Sequence, residues 1–332
     1  MFASPIPRAD RNFLIQDYIP GQSIPPLIRD PQTGRIVVNE LKRYVKPYTL
    51  SIEPYEVTLA ADEVSDPIIM PLDGKGHFEV VRAHFFSQRA EGFTIEIFDP
   101  GGLQSERPTL MNREVHVATI AAGGTTDFAS GAIINGGSSP GRPFVWPETF
   151  WMNVDEGTKA LFVRFRNLSG STNRVRFALH GNRWYHTLAP TPIAERMIEI
   201  YRRRFRTMPY FYTTDGIVQL GADDGGDFQM RLGDDGWSEI HKLMSWSNDQ
   251  DFSALISEVA TGKRYMESQV HRKLVFGDGQ LPFLLWEPTL FEPNYKLNFN
   301  LVDLSGDDNT VWITAAARKV FIDPKEVKLA PV

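Results

Sequence analysis

"LFVRFRNLSGSTNRVRFALHG", residues 161–181, and "YKLNFNLVDLSGDDNTVWITAAA", residues 295–317, decide the fold. In each, apolar and polar residues alternate on both sides of a Leu-Ser-Gly turn, with an asparagine three residues beyond the glycine. A period of two is that of a half-buried β-strand, so each stretch reads as a hairpin with one face in a core. Gly170 and Gly306, with Asn173 and Asn309, supply residue types that tolerate positive φ where the chain reverses.

Working outward, the surroundings of the two hairpins match in order. "PFVWPETFW" from Pro143 corresponds to "PFLLWEPTLF" from Pro282, with one residue added. Met111, Val115 and His116 correspond to Met266, Val270 and His271, and Phe93 to Phe252. The length differences fall in Gly-rich loops. The expected organisation is a duplicated β unit, with a first domain at 51–187, a linker at 188–208, a second domain at 209–323 and a tail at 324–332.

Further alternating runs fill the first copy: Phe78 and Val80; Phe93, Ile95 and Ile97; Val115 and Val117; Val175, Phe177 and Leu179. Short strands separated by glycine-rich turns predict an all-β fold, two tandem β-sandwiches of jelly-roll type. The linker "TPIAERMIEIYRRRFR" has Pro192 near its start and Ile193, Met197, Ile200, Tyr201 and Phe205 at helical spacing. It reads as one helix sealing the two domains together.

Residues 1–50 differ in kind. A proline every few positions favours an extended arm, yet Phe13, Ile15 and Tyr18 are too apolar to lie in water. Such an arm requires a surface, its own or a neighbour's. Eight arginines lie between Arg174 and Arg206, including Arg196, Arg202, Arg203 and Arg204, and an acid-rich stretch follows from Asp215 to Glu258. Opposite fields of this kind either neutralise each other within the chain or steer copies together.

The 332 residues carry a net charge of -6 and no cysteine. Thiolate catalysis, disulfides and Cys-ligated metals are therefore excluded. Prolines and charges near residue 1 do not read as a signal peptide, no apolar run has the length of a membrane helix, and mild acidity gives nucleic acid no general attraction. The seven histidines show no zinc-enzyme spacing, and nucleotide or nucleophile-elbow motifs are missing. No cofactor, metal or small-molecule substrate is expected. His116 and His271, at matching places, read as packing or hydrogen-bonding residues.

Two chemical alternatives remain. Glu148 and Glu287 beside tryptophans could serve a carbohydrate-binding or glycan-degrading site built on paired carboxylates and an exposed Trp. Asp223, Asp224 and Asp227, with Asp234 and Asp235, could hold calcium, although the EF-hand glutamate is missing.

The ordered motifs, "VH", then "PFVWPETFW" or "PFLLWEPTLF", then "NLSG" or "DLSG", then "ALHGNRWY" or "TAAARKVF", resemble those of duplicated β-barrel or β-sandwich structural proteins of tailed-bacteriophage virions. That resemblance covers roughly residues 51–323 and implies a non-enzymatic head-decoration, collar or tail-connector component. Its partners would be further copies of itself and other virion proteins, and its place the virion, after assembly in the host cytoplasm. The contacts would include Phe13, Ile15, Tyr18, Arg196, Arg202, Arg203 and Arg204. "TAAARKVF" in place of "ALHGNRWY" is where the second copy departs from the first.

Overall fold

The computed structural model describes residues 27–29, 36–38, 44–98, 110–127, 132–134, 146–152, 160–204, 207–248, 251–277 and 283–320. Within the segment expected to be an arm, β1 (Leu27–Arg29) and β2 (Ile36–Val38) form a two-stranded antiparallel sheet.

The first half contains β3 (Val45–Ser51), β4 (Val57–Leu59), β5 (Ile68–Pro71), β6 (His77–Ser87), β7 (Phe93–Phe98), β8 (Val115–His116), β9 (Ala122–Asp127), β10 (Ala132–Ile134), β11 (Phe150–Met152), β12 (Ala160–Asn167) and β13 (Asn173–Trp184). One sheet runs β3-β13-β6, with β11 beside β6 and β4 beside β13, and is extended by β9 and β10. The other runs β5-β12-β7-β8. Such interleaved sheets are characteristic of a jelly roll, because consecutive strands cross between layers and bury one face each. Strand β3 pairs with β13 over its whole length. The sheet therefore begins at Val45, within the 1–50 segment expected to be an arm, and Pro47 is accommodated because β3 ends its sheet among the described strands.

The second half holds β14 (Thr207–Thr213), β15 (Val218–Leu220), β16 (Gly225–Arg231), β17 (Trp237–Ser247), β18 (Phe252–Glu258), β19 (Val270–His271), β20 (Phe283–Phe291), β21 (Lys296–Asp303) and β22 (Asn309–Val320). Its sheets run β14-β22-β17-β20, with β15 beside β22, and β16-β21-β18-β19. Apart from β9 and β10, which have no strand counterpart among the described residues of the second half, this repeats the strand order of the first half. Even the irregularity recurs: the β13–β6 register skips Val81, and the β22–β17 register skips His241.

The two stretches read as hairpins keep their alternation but are not hairpins: β12 pairs with β5 and β7 while β13 pairs with β3 and β6, and β21 pairs with β16 and β18 while β22 pairs with β14 and β17, so each Leu-Ser-Gly turn is an arch that carries the chain from one sheet to the other. Leu161, Val163, Phe165, Val175, Phe177 and Leu179 point into the first core, and Leu297, Phe299, Leu301, Val311 and Ile313 into the second. The turns are anchored by buried polar side chains: Asn167 Oδ1 accepts from Ser169 N at 3.1 Å, and Asp303 Oδ2 from Ser305 N at 3.0 Å. A second expectation is corrected. Gly306 has φ +77°, whereas Gly170 stays outside the left-handed region, and Asn173 and Asn309 are the fully buried first residues of β13 and β22, not turn residues. Asn173 there accepts from Ser87 Oγ and from Gln88 and Arg89 N, spending its amide inside the sheet.

Helix α1 (Thr191–Arg204) follows the first half. Ile193 and Met197 pack against Val45, Trp151 and Trp184, so its described apolar face covers the first half.

Candidate assembly interface

The largest arrangement not explained by either sandwich alone is where they meet. Residues Leu110 to Ala121, the approach to β8 and the 3-10 turn after it, seat on the outer face of β14, β22 and β17. Backbone joins backbone: Phe211 N donates to Leu110 O at 2.9 Å and Asn112 N to Phe211 O at 3.3 Å. Asn112 adds a side-chain pair, donating to Thr213 O at 3.0 Å and accepting from Thr213 N at 2.9 Å. Thr119 and Thr314 hydroxyls meet at 2.7 Å, and Arg113 reaches Asp215 at 3.0 Å. Phe211, Met244 and Ala316 are thereby buried within the first half's core, with Phe211 edge-on to Trp146 at 5.3 Å.

His116 is the pivot of this contact. Its Nδ1 accepts from Ala118 N, which opens the 3-10 turn, so Nε2 carries the proton and donates to Glu91 O at 3.0 Å. The ring stacks on Trp246 at 4.1 Å and 18°. Burial lowers its pKa to about 4, because a charged imidazolium there would lose its hydration. At the matching position His271 Nδ1 caps the same turn, accepting from Lys273 N, but its Nε2 faces Asp251 at 3.5 Å and its side chain is 37% exposed. The shared hydrogen-bonding role expected of this pair is what both copies show.

Each partner surface thus has an uncovered counterpart. Tyr265, Lys273 and Leu274, opposite numbers of Leu110, Ala118 and Thr119, are exposed, Leu274 by 69%. On the first half's sheet, the places of Phe211, Met244, Trp246, Trp312, Thr314 and Ala316 are taken by Thr49, His84, Phe86, Arg176, Ala178 and His180, none of them buried. Thr49 Oγ1 meets His180 Nδ1 at 2.9 Å, and His84 stands edge-on to His180 at 4.5 Å. Both imidazoles have lowered pKa values: His84 from partial burial and then Arg82, and His180, to about 4, from partial burial and then His84 and Arg82.

A second matching feature was not expected from the sequence. Arg183 is fully buried on β13, pairs with Asp73 and lies over the Tyr48 ring; Lys319 on β22 pairs with Asp235 and lies over Tyr210 at 4.2 Å. The apparent departure of "TAAARKVF" from "ALHGNRWY" thus keeps a cation, its carboxylate and its ring. The signal was present, since Arg183 and Lys319 hold the same place after the aligned asparagines.

The other residues singled out in the sequence resolve individually. Phe13, Ile15 and Tyr18 lie outside the described residues. Arg196, Arg202, Arg203 and Arg204 lie on α1, with side chains outside the described set. Among the described side chains of the charged stretches, Arg174 and Arg176 pair with Glu56, and Asp251 with Arg272 and Lys273. Glu148 is buried and accepts from Thr149 N and Thr207 Oγ1, which makes it an internal brace; the side chain of Glu287 lies outside the described set. Asp224 accepts from Gly225 N and Asp227 from Asn298 and Asn300. Among the described residues no three His, Asp or Glu side chains converge as metal ligands, and no helix is long and apolar enough to cross a membrane.

Neither protein-family models nor curated protein sequences give a match to this chain. Among solved structures, the crystal structure of the STIV MCP, a viral major capsid protein, is similar at TM-score 0.40 and 9% identity, over 86% of this chain and 100% of that one. The plant receptor-like kinase ANX2 is similar at TM-score 0.21 and 7% identity, over 89% of this chain and 93% of that one.

Proposed function

We propose that this protein is a non-enzymatic structural component of a virion, built of two duplicated jelly-roll domains, that assembles with copies of itself by repeating between chains the contact it makes within one. The observation that carries this is the pair of unused counterparts. One copy's Tyr265–Leu274 end fits, by the correspondence of positions, the face of Thr49, His84, Phe86, Arg176, Ala178 and His180 on the next. A contact between two different surfaces is head-to-tail, and it generates a ring or an extended array according to whether its rotation closes. Jelly rolls are common in capsid and lectin domains. The ordered motifs between Phe93 and Asn309 favour the capsid-like use, and in its finer form the proposal is a tailed-phage head, collar or tail-connector component placed in the virion after assembly in the host cytoplasm.

The domains would run over about 51–187 and 209–323, with the first extended to Val45 by β3. The arm residues Phe13, Ile15 and Tyr18, and Arg196 and Arg202 to Arg204 on α1, are proposed to add contacts at the periphery of the same interface, to this chain or to other virion proteins. Sedimentation velocity over a rising concentration series tests the reading. Oligomers should appear with the native chain, and Leu274→Glu, at a position 69% exposed, should abolish them while leaving the melting temperature in place. A chain that stays monomeric at all concentrations, or a variant that associates like the native protein, contradicts it.

A further inference from the structure

Beside the contact of the two halves lies a cleft of about 320 Å³, whose walls show what a repeat of that contact between chains would change. Within one chain, Ile217 on the turn between β14 and β15 lines this cleft with Trp312, opposite Glu96, Arg164, Glu114 and Arg166 on the first half. Asp215 on the same turn pairs with Arg113 at 3.0 Å. We propose that, in the contact between copies on which this inference rests, Tyr55 takes the place of Ile217 and is the anchor that sets specificity. Its ring seats on Leu255 and Val302 of the next copy and its hydroxyl on Gln269.

The correspondence is fixed by register. Ser51 and Val57 lie opposite Ala178 and Val175, as Thr213 and Val218 lie opposite Thr314 and Val311, so residues 52–56 are the first half's version of the 214–217 turn. Tyr55 on that turn is 68% exposed. It is also held in place, because Arg176 lies over its ring at 5.5 Å and is itself fixed by Glu56 at 2.7 Å. A side chain positioned in advance loses less freedom on binding. The ion pair of Asp215 with Arg113 has no equivalent between copies, since Glu53 would face Ser268, and the hold of this turn falls to Tyr55.

The receiving surface differs from the internal cleft in the way a tyrosine requires. By strand register, Leu255 and Asn300 replace Glu96 and Arg164, and Val302 replaces Arg166. Gln269, just before Val270 and His271, replaces Glu114. Four charges thus become none. Leu255 and Val302 are half-buried diagonal neighbours on one sheet face, about 7–8 Å apart and within reach of one ring. Gln269 donates through Nε2 to Asn300 Oδ1, and its Oε1 has no partner among the described residues, which leaves an acceptor for a phenol O–H. Covering apolar groups and an amide costs far less than covering two ion pairs. An aromatic body with a polar tip suits such a surface, and tyrosine is among the residue types that dominate interface energies.

Sedimentation velocity on the full chain tests this. Tyr55→Ala should raise the dissociation constant of association at least about thirtyfold and Tyr55→Phe about fivefold, both with unchanged melts. Leu255→Glu and, separately, Val302→Glu should act as Tyr55→Ala does. Because the contact is head-to-tail, an equimolar mixture of Tyr55→Ala and Leu255→Glu chains joins one intact tyrosine to one intact socket, and should form a dimer and nothing longer. Native-like association of Tyr55→Ala overturns the inference and leaves the repeated contact itself standing. Folded, monomeric variants whose mixture stays monomeric overturn it as well, and a native chain that never associates overturns both.

Discussion

The same sheet face occurs twice in this chain and has two different fates. On the second half it carries Phe211, Met244, Trp246, Trp312, Thr314 and Ala316 and is covered by the first half; on the first half the same places hold Thr49, His84, Phe86, Arg176, Ala178 and His180 and are open. The backbone is common to both, down to the bulges at Val81 and His241. What differs is therefore set by the neighbour. A contact formed during folding favours apolar side chains, whereas a face left open to water favours polar ones.

Paired substitutions at matching positions sharpen this contrast. Phe211 is fully buried and touches Trp146, so Phe211→Ala should cost about 3–5 kcal/mol in urea unfolding. Thr49→Ala, its counterpart in an open place, should stay within about 0.5 kcal/mol. Equal losses at the two sites would break the distinction between a covered and an open face.

The histidine pair offers the next largest effect. The folded-state pKa of His116 lies near 4, below its unfolded value of 6.5, so between those pH values the unfolded chain binds more protons. Stability should therefore fall as the pH drops through this window, by at most about 3 kcal/mol, and level off below it. His116→Phe should remove its own share of that fall, leaving the part contributed by His84 and His180, whose pKa values are also lowered. A profile unchanged by His116→Phe would show that the acid loss arises elsewhere.

A smaller contrast separates the two Leu-Ser-Gly turns. Gly306 has φ +77° and Gly170 does not, and neither has a neighbour that a Cβ would strike. Gly306→Ala should cost on the order of 1 kcal/mol by backbone strain alone, and Gly170→Ala should be close to neutral. Equal costs would mean that the turns, despite their shared Leu-Ser-Gly, respond to something other than φ.

Those turns also show how far the sequence could be read. Period-two alternation in residues 161–181 and 295–317 located the strands and their core faces, because burial on one side imposes that period directly, but it did not show that the two strands at each turn join opposite sheets and are not a paired hairpin. It could not distinguish Gly170 from Gly306, since the same Leu-Ser-Gly closes both reversals. Nor could it reveal the seat of His116: Trp246 and Trp312 read as ordinary strand aromatics until β17 and β22 are brought side by side. Glu148 looked like an exposed acid beside a tryptophan because its partner, Thr207, lies across the linker. The cleft at Glu96 and Trp312 joins residues from both halves, and nothing local in either segment announces it.

Whether copies associate by repeating the internal contact can be measured directly, because the chain has no cysteine. Within one chain Thr119 and Thr314 touch at 2.7 Å between hydroxyls. Their counterparts are Leu274 and Ala178, which association of this kind brings together between neighbouring chains. Under mild oxidation, the Ala178→Cys/Leu274→Cys double variant should yield a ladder of disulfide-linked dimers and higher species on non-reducing gels. Each single variant should yield at most one symmetric dimer, and Thr119→Cys/Thr314→Cys should close only within its own chain. A double variant that gives no ladder at concentrations where the protein associates would contradict assembly through this contact.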